Sequence, residues 1–159
     1  MIDLRRSTSR VLTAICAIGT LAAPPAGAKS PSAEEQAVLA AFHAVLDGLA
    51  HRDRAAILAP LLPGGTATLM RNGKPVQLTF EALAERLSQP GAASHEERIR
   101  DPLVRIDDNV AIVWAPFEFL IDGKVDHCGR DSVQLVRVDG HWLIASIADN
   151  SRTDCVPWK

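Results

Sequence analysis

Residues 110–148 run VAIVWAPFEFLI, DG, KVDHCGRDSVQLVRV, DG, HWLIASIA. Three apolar-rich stretches are parted by Asp122-Gly123 and Asp139-Gly140. Asp-Gly between two such stretches is a strong hairpin signal, because a two-residue turn that follows strand twist needs positive φ and Gly supplies it without steric cost. A further apolar run, Ile99–Ile106, ends on Asp107-Asp108-Asn109. From Glu97 to Arg152 the chain therefore reads as one four-stranded antiparallel meander, and the rest must pack around it.

The chain has 159 residues, 47% hydrophobic and 23% charged, with a formal net charge of -2. That is globular composition with material for one good core. There is no basic excess of the kind that binds nucleic acid, and no run of like charge. Tyr is absent.

Residues 1–28 read as a signal peptide. Arg5, Arg6 and Arg10 give a positive start, Val11–Ala23 an uncharged and mostly apolar run, and Ala26-Gly27-Ala28 a small-x-small cleavage site after Pro24-Pro25. Ser7-Thr8-Ser9 follow Arg5-Arg6 where a twin-arginine signal would turn apolar, so ordinary secretion is the expectation. Ile15 is too bulky to precede a lipid-anchored cysteine at Cys16. The mature chain, residues 29–159, is expected in the periplasm or secreted, with no membrane partner after cleavage. It keeps Cys128 and Cys155, a candidate disulfide in an oxidising compartment. The other reading is one buried thiol and one at a frayed end.

Ahead of the meander, Ser32-Ala33-Glu34-Glu35 forms a capping box. The helix it opens runs to about Ala50, with Val38, Phe42, Val45, Leu46 and Leu49 at helical spacing. Asp53 caps a short second helix that Pro60 ends. Leu61 to Gly65 reads as a connection. Thr66–Arg71 and Lys74–Leu78 make a hairpin about Asn72-Gly73, placed at a sheet edge by Pro75. Thr79 caps a third helix carrying Phe80, Leu83, Ala84 and Leu87, and Gln89–His95 is a loop. The predicted architecture is α+β: a strongly bent antiparallel sheet forming a conical barrel, wrapped by three helices from the N-terminal half, with room for a cavity.

A two-residue loop sets which residues oppose each other. Counting back from Asp122-Gly123, Glu118 faces His127 and Trp114 faces Asp131. Counting from Asp139-Gly140, Asp131 faces Ala148, Arg130 faces Asp149, and Cys128 faces Ser151. Trp114, Glu118, His127 and Asp131 then share one face. A carboxylate beside an imidazole orients it and makes a candidate general base or acid. Trp114, with Phe42, Leu46 and His127, would give a binding wall. The competing reading is a half-exposed Glu118–His127 ion pair with Trp114 in the core. Three such side chains could also hold a metal, but nothing in the spacing demands one, and no metal or cofactor is expected. His43 could point into the cone or simply be exposed. There is no Gly-rich phosphate loop, nucleophile elbow or Cys-x-x-Cys motif.

The order of elements, the run Val113-Trp114-Ala115-Pro116-Phe117-Glu118-Phe119, the run Asp126-His127-Cys128-Gly129-Arg130-Asp131 and the ending Asp139-Gly140-His141-Trp142-Leu143-Ile144 resemble the nuclear transport factor 2-like superfamily. Among its branches, the bacterial SnoaL-like proteins are the most similar. The resemblance spans about Glu34 to Arg152. It implies a conical α+β barrel with a pocket, and a homodimer packed through the outer sheet face. The superfamily includes isomerases, cyclases, dehydratases and plain binding proteins, so fold alone leaves activity open. Its ketosteroid isomerases use a Tyr and two Asp, and this chain has no Tyr. Three functional expectations follow. One is an exported protein whose cone binds a small apolar or amphipathic molecule. Another is a cofactor-free isomerase, cyclase or dehydratase using His127 with Glu118 or Asp131. The last is a structural or interaction module with a filled pocket.

Overall fold

The structure, a computed structural model, describes residues 30–156 and 158. The signal peptide expected over residues 1–28 lies outside the described residues.

Helix α1 (Ala33–His51) starts at Ser32, whose side chain accepts from the Glu35 N–H while Glu35 reaches back to the Ser32 N–H, closing the capping box. Its apolar stripe, Val38, Phe42, Val45, Leu46 and Leu49, is buried; each such side chain contributes about 1.5–3 kcal/mol when fully removed from water. The helix stops at Arg52, in the left-handed region at φ 54. The Arg52 guanidinium then donates to the carbonyls of Gln89 and Ala93. Helix α2 (Arg54–Leu58) is capped by Asp53, which accepts from the Ala56 N–H. Strand β1 (Leu61–Arg71) begins earlier than the sequence suggests, because Leu61 pairs with Ile144. Asn72-Gly73 turns it into β2 (Lys74–Thr79), and Thr79 caps α3 (Phe80–Leu87).

The run Ile99–Ile106 is two strands, not one. Strand β3 (His95–Ile99) and β4 (Leu103–Asp107) both pair with the long β5 (Val110–Ile121), at different ends of it. Asp101, at φ 47, and Pro102 break the chain between them. Strands β6 (Lys124–Val138) and β7 (His141–Arg152) complete the meander. Both Asp-Gly turns have positive φ at both central residues, as two-residue hairpins require. The sheet has seven strands in the order β2-β1-β7-β6-β5-β3, with β4 also on β5. Strand β1 runs parallel to β7, so the sheet is mixed; it is strongly curved and unclosed. This is the α+β cone. The helices close over its concave face, where Val113, Ala115, Val133, Leu135 and Ile144 are fully buried against Phe42, Ile57 and Phe80. Trp142 fixes one end, its indole N–H donating to Glu34 at 3.0 Å.

Two bulges overturn the register read from the turns. Leu120 opposes Val125 but Phe119 opposes His127, so Asp126 is an extra residue on β6. Leu135 opposes Ile144 but Gln134 opposes Ser146, so Ala145 is extra on β7. A one-residue shift exchanges the two faces of everything beyond it. Glu118 therefore opposes Cys128, Trp114 opposes Ser132, Asp131 opposes Ala115 and Asp149, and Arg130 opposes Asn150.

The C-terminal tail returns along the outer face. Cys128 and Cys155 are joined by a disulfide. Beyond it, the Trp158 N–H donates to Glu118 Oε1 at 2.8 Å, and the Arg100 guanidinium lies 4.7 Å from the Trp158 ring centroid.

Candidate functional site

Between α1, α3 and the concave sheet lies a hollow of about 260 Å³. Its apolar wall comes from Phe42, Val45, Leu46 and Leu49 of α1, Leu83 and Leu87 of α3, with Leu69 and Ile147. The sheet supplies the polar side: Arg71, His95, Glu97, His127, Asp131 and Asp149, with Arg86 from α3.

The strand register explains this grouping. Glu97 and His127 flank Phe119 on neighbouring strands. Asp131 and Asp149 stand side by side on the next pair. Asp149 is neutralised by Arg71, whose Nη1 and Nη2 donate to its two carboxylate oxygens at 2.6 and 2.7 Å. The Met70 N–H adds a third donor to Asp149 at 3.2 Å. Asp131 is only 4% exposed, and its Oδ2 has no hydrogen-bond partner among the described residues. Burial, then the charges of Glu97 and Asp149, push its carboxyl well above the usual range, against the pull of Arg71. Burial likewise lifts Glu97 to about 7, with Asp149 adding and Arg71 opposing. Such shifts follow when several carboxyls share a low-dielectric space.

The His127 ring is stacked on Phe119, with centroids 4.8 Å apart, and its Nδ1 lies 2.9 Å from Asp126 Oδ2. A proton on Nδ1 donated to Asp126 leaves Nε2 as the free ring nitrogen. The bulge residue Asp126 is thus the orienting partner of His127.

Of the residues singled out by sequence, His127, Asp131, Phe42 and Leu46 line the hollow. Glu118 and Trp114 do not. Glu118 is buried on the outer face under the tail, and Trp114 is 46% exposed there, because the bulge at Asp126 reverses their relation to His127. Glu97, Arg71, Asp149 and Phe119 were missed. The turn-counted register placed Phe119 and Asp149 on the opposite face and matched Asp149 with Arg130. Arg71, the last residue before Asn72-Gly73, is the only charged side chain of Leu61–Arg71, and that was its one sequence signal. Among the described residues, no three His, Cys, Asp or Glu side chains are grouped to hold a metal ion.

The curved sheet and its covering helices have the fold of nuclear transport factor 2-like proteins. Residues 33–148 match the model of the family described as "Putative lumazine-binding", and the chain belongs to that family. No curated protein matches it in sequence. Solved structures agree on the fold. A nuclear transport factor 2-like protein from Cytophaga hutchinsonii is 15% identical at a TM-score of 0.64, over 75% of this chain and 98% of its own. A Mycobacterium tuberculosis protein of unknown function is 16% identical at 0.64, over 75% and 72%. A Novosphingobium aromaticivorans protein called "Putative Scytalone Dehydratase" is 13% identical at 0.62, over 78% and 89%.

Proposed function

We propose that this is an exported small-molecule-binding protein whose hollow takes a small apolar or amphipathic ligand. One observation carries the reading: a largely apolar, partly closed hollow is lined by Asp131, whose buried Oδ2 has no partner among the described residues. A buried polar atom without a partner costs about 1–3 kcal/mol, and a ligand donor would recover it. The hollow sits just below the roughly 300–1,000 Å³ of ordinary ligand sites, which favours a molecule of one or two rings. The family's description, lumazine-binding, is consistent with a ligand of that size. Native mass spectrometry of protein purified from its own host tests the reading. A co-purifying small molecule, lost in Leu46→Trp, is the expected result; a ligand-free protein that binds no apolar probe would leave the filled-pocket module instead.

Export is supported by the pattern of residues 1–28 and by the Cys128–Cys155 bridge, since disulfides persist in oxidising compartments. N-terminal sequencing of the mature protein should begin at Lys29. A homodimer through the outer sheet face is supported by the apolar side chains exposed there.

His127 favours a second reading, cofactor-free acid–base catalysis. Its ring is held by Asp126 and borders the hollow, the arrangement a general base needs. If turnover of a bound compound is found, His127→Ala should abolish it without unfolding the protein. Retained turnover would end that role.

A further inference from the structure

We propose that the ligand is a cation: a compact apolar or aromatic body bearing a protonated nitrogen, an amine or amidinium, seated on Asp131. This deepens the binding reading and rests on it. The geometry is specific. Three carboxyl side chains, Glu97, Asp131 and Asp149, line the sheet side of the hollow beside the Arg71 guanidinium, with Arg86 on the helical side. Arg71 is committed to Asp149 through both its terminal nitrogens, Nη1 and Nη2. Asp131 lines the hollow yet is almost wholly buried, and its Oδ2 has no hydrogen-bond partner among the described residues.

Helix α1 contributes only Phe42, Val45, Leu46 and Leu49; α3 contributes Arg86; β1 contributes Arg71. Strand β3 adds His95 and Glu97, β6 adds His127 and Asp131, and β7 adds Asp149. Phe119 and the stacked His127 ring offer a flat surface beside the acids. Burial first, and the neighbouring carboxylates second, favour the protonated acids: Glu97 is held at about 7 and Asp131 above its ordinary range. A ligand cation takes the place of those protons. Binding should therefore release protons and tighten as pH rises. His95 and His127 also face the hollow, so variants must separate them from the acids.

The test uses three probes of one shape and different charge: benzamidine, acetophenone and benzoate. Titration calorimetry on the mature protein, in buffers of differing ionisation enthalpy, reads affinity and proton release. The expected result is benzamidine at least tenfold tighter than acetophenone at pH 8, benzoate weakest, and benzamidine about tenfold weaker at pH 5.5. The inflection near pH 7 should vanish in Glu97→Gln and persist in His127→Gln. Asp131→Asn should erase the preference for benzamidine. The ranking and proton release in the unaltered protein decide the matter even if a variant fails to fold. Acetophenone as tight as benzamidine, or benzoate tightest, would overturn the cation while leaving a binding hollow. Binding of none of the three would overturn the cation and the binding reading together.

Discussion

Glu97 gives the protein a pH dependence whose sign follows from burial. Its carboxyl titrates at about 7 in the fold against 4.5 ordinarily. Between those values the folded chain holds a proton that the unfolded chain has lost. Stability from this group is complete below 4.5 and is lost as pH rises through about 7. Glu97→Gln should raise Tm at pH 8 and change it little at pH 5. Discounted for the residue's partial exposure, the gain is on the order of 1–2 kcal/mol, or ~3–6 °C. Thermal melts across pH 5–8 check it; an equal shift at both ends would contradict it. Gly129 is constrained differently. A Cβ there would lie 1.8 Å from the Asn150 carbonyl oxygen and 2.7 Å from the Phe117 ring. Asn150 cannot easily yield, because its Oδ1 accepts the Arg130 N–H at 2.9 Å. Gly129→Ala should cost about 3 kcal/mol, seen as a lower urea midpoint, while Gly73→Ala on the exposed turn costs less.

At the scale of elements, what the sequence discloses is whatever local chemistry decides. Ser32, Asp53 and Thr79 cap the three helices as their side chains dictate, and the Asp-Gly and Asn-Gly pairs turn where they stand. The bulges at Asp126 and Ala145 have no such signature. Each is an extra residue accommodated by sheet curvature and by packing across strands, and neither Asp nor Ala marks it. The two missing bulges moved Glu118 and Trp114 out of the candidate site and hid Asp149, while Glu97 and Arg71 lie on β3 and β1, which the turn-counted register did not reach. His127 and Asp131 survived because they lie four residues apart on β6 with no bulge between them, so they keep one face. The tail is an element too. The Cys128–Cys155 bridge closes a loop with a sequence separation of 27, which by chain entropy stabilises by about 3 kcal/mol. Cys155→Ser should lower Tm by ~5–10 °C. It should also free Trp158, so that limited proteolysis trims the C-terminus of the variant and spares the oxidised parent. Equal resistance in both would mean that the Glu118 and Arg100 contacts hold the tail unaided.

At the scale of the whole molecule, the two faces of the sheet differ in what they leave uncovered. Helices close the concave face. On the convex face the tail covers Glu118 and Cys128, yet Leu103, Val110, Ile112, Trp114 and Val138 stay 40–48% exposed. Leu103 opposes Trp114, and Ile112 lies two residues along the same strand, so these side chains form a continuous patch and not scattered exceptions. Contiguous apolar surface of this kind marks association sites. A second copy of the chain is the simplest complement, because a two-fold axis through the patch sets Trp114 and Ile112 against their own equivalents. Sedimentation equilibrium of the mature protein should give a dimer, and Trp114→Glu a monomer, since two carboxylates would be brought together inside an apolar contact. The hollow opens on the other side of the sheet, so the variant should keep its melting behaviour in the monomer and its probe affinity. A Trp114→Glu protein that remains dimeric would place the subunit contact elsewhere. One that loses ligand binding as well would mean that association across the convex face holds the sheet curvature on which Asp131, Glu97 and Asp149 converge.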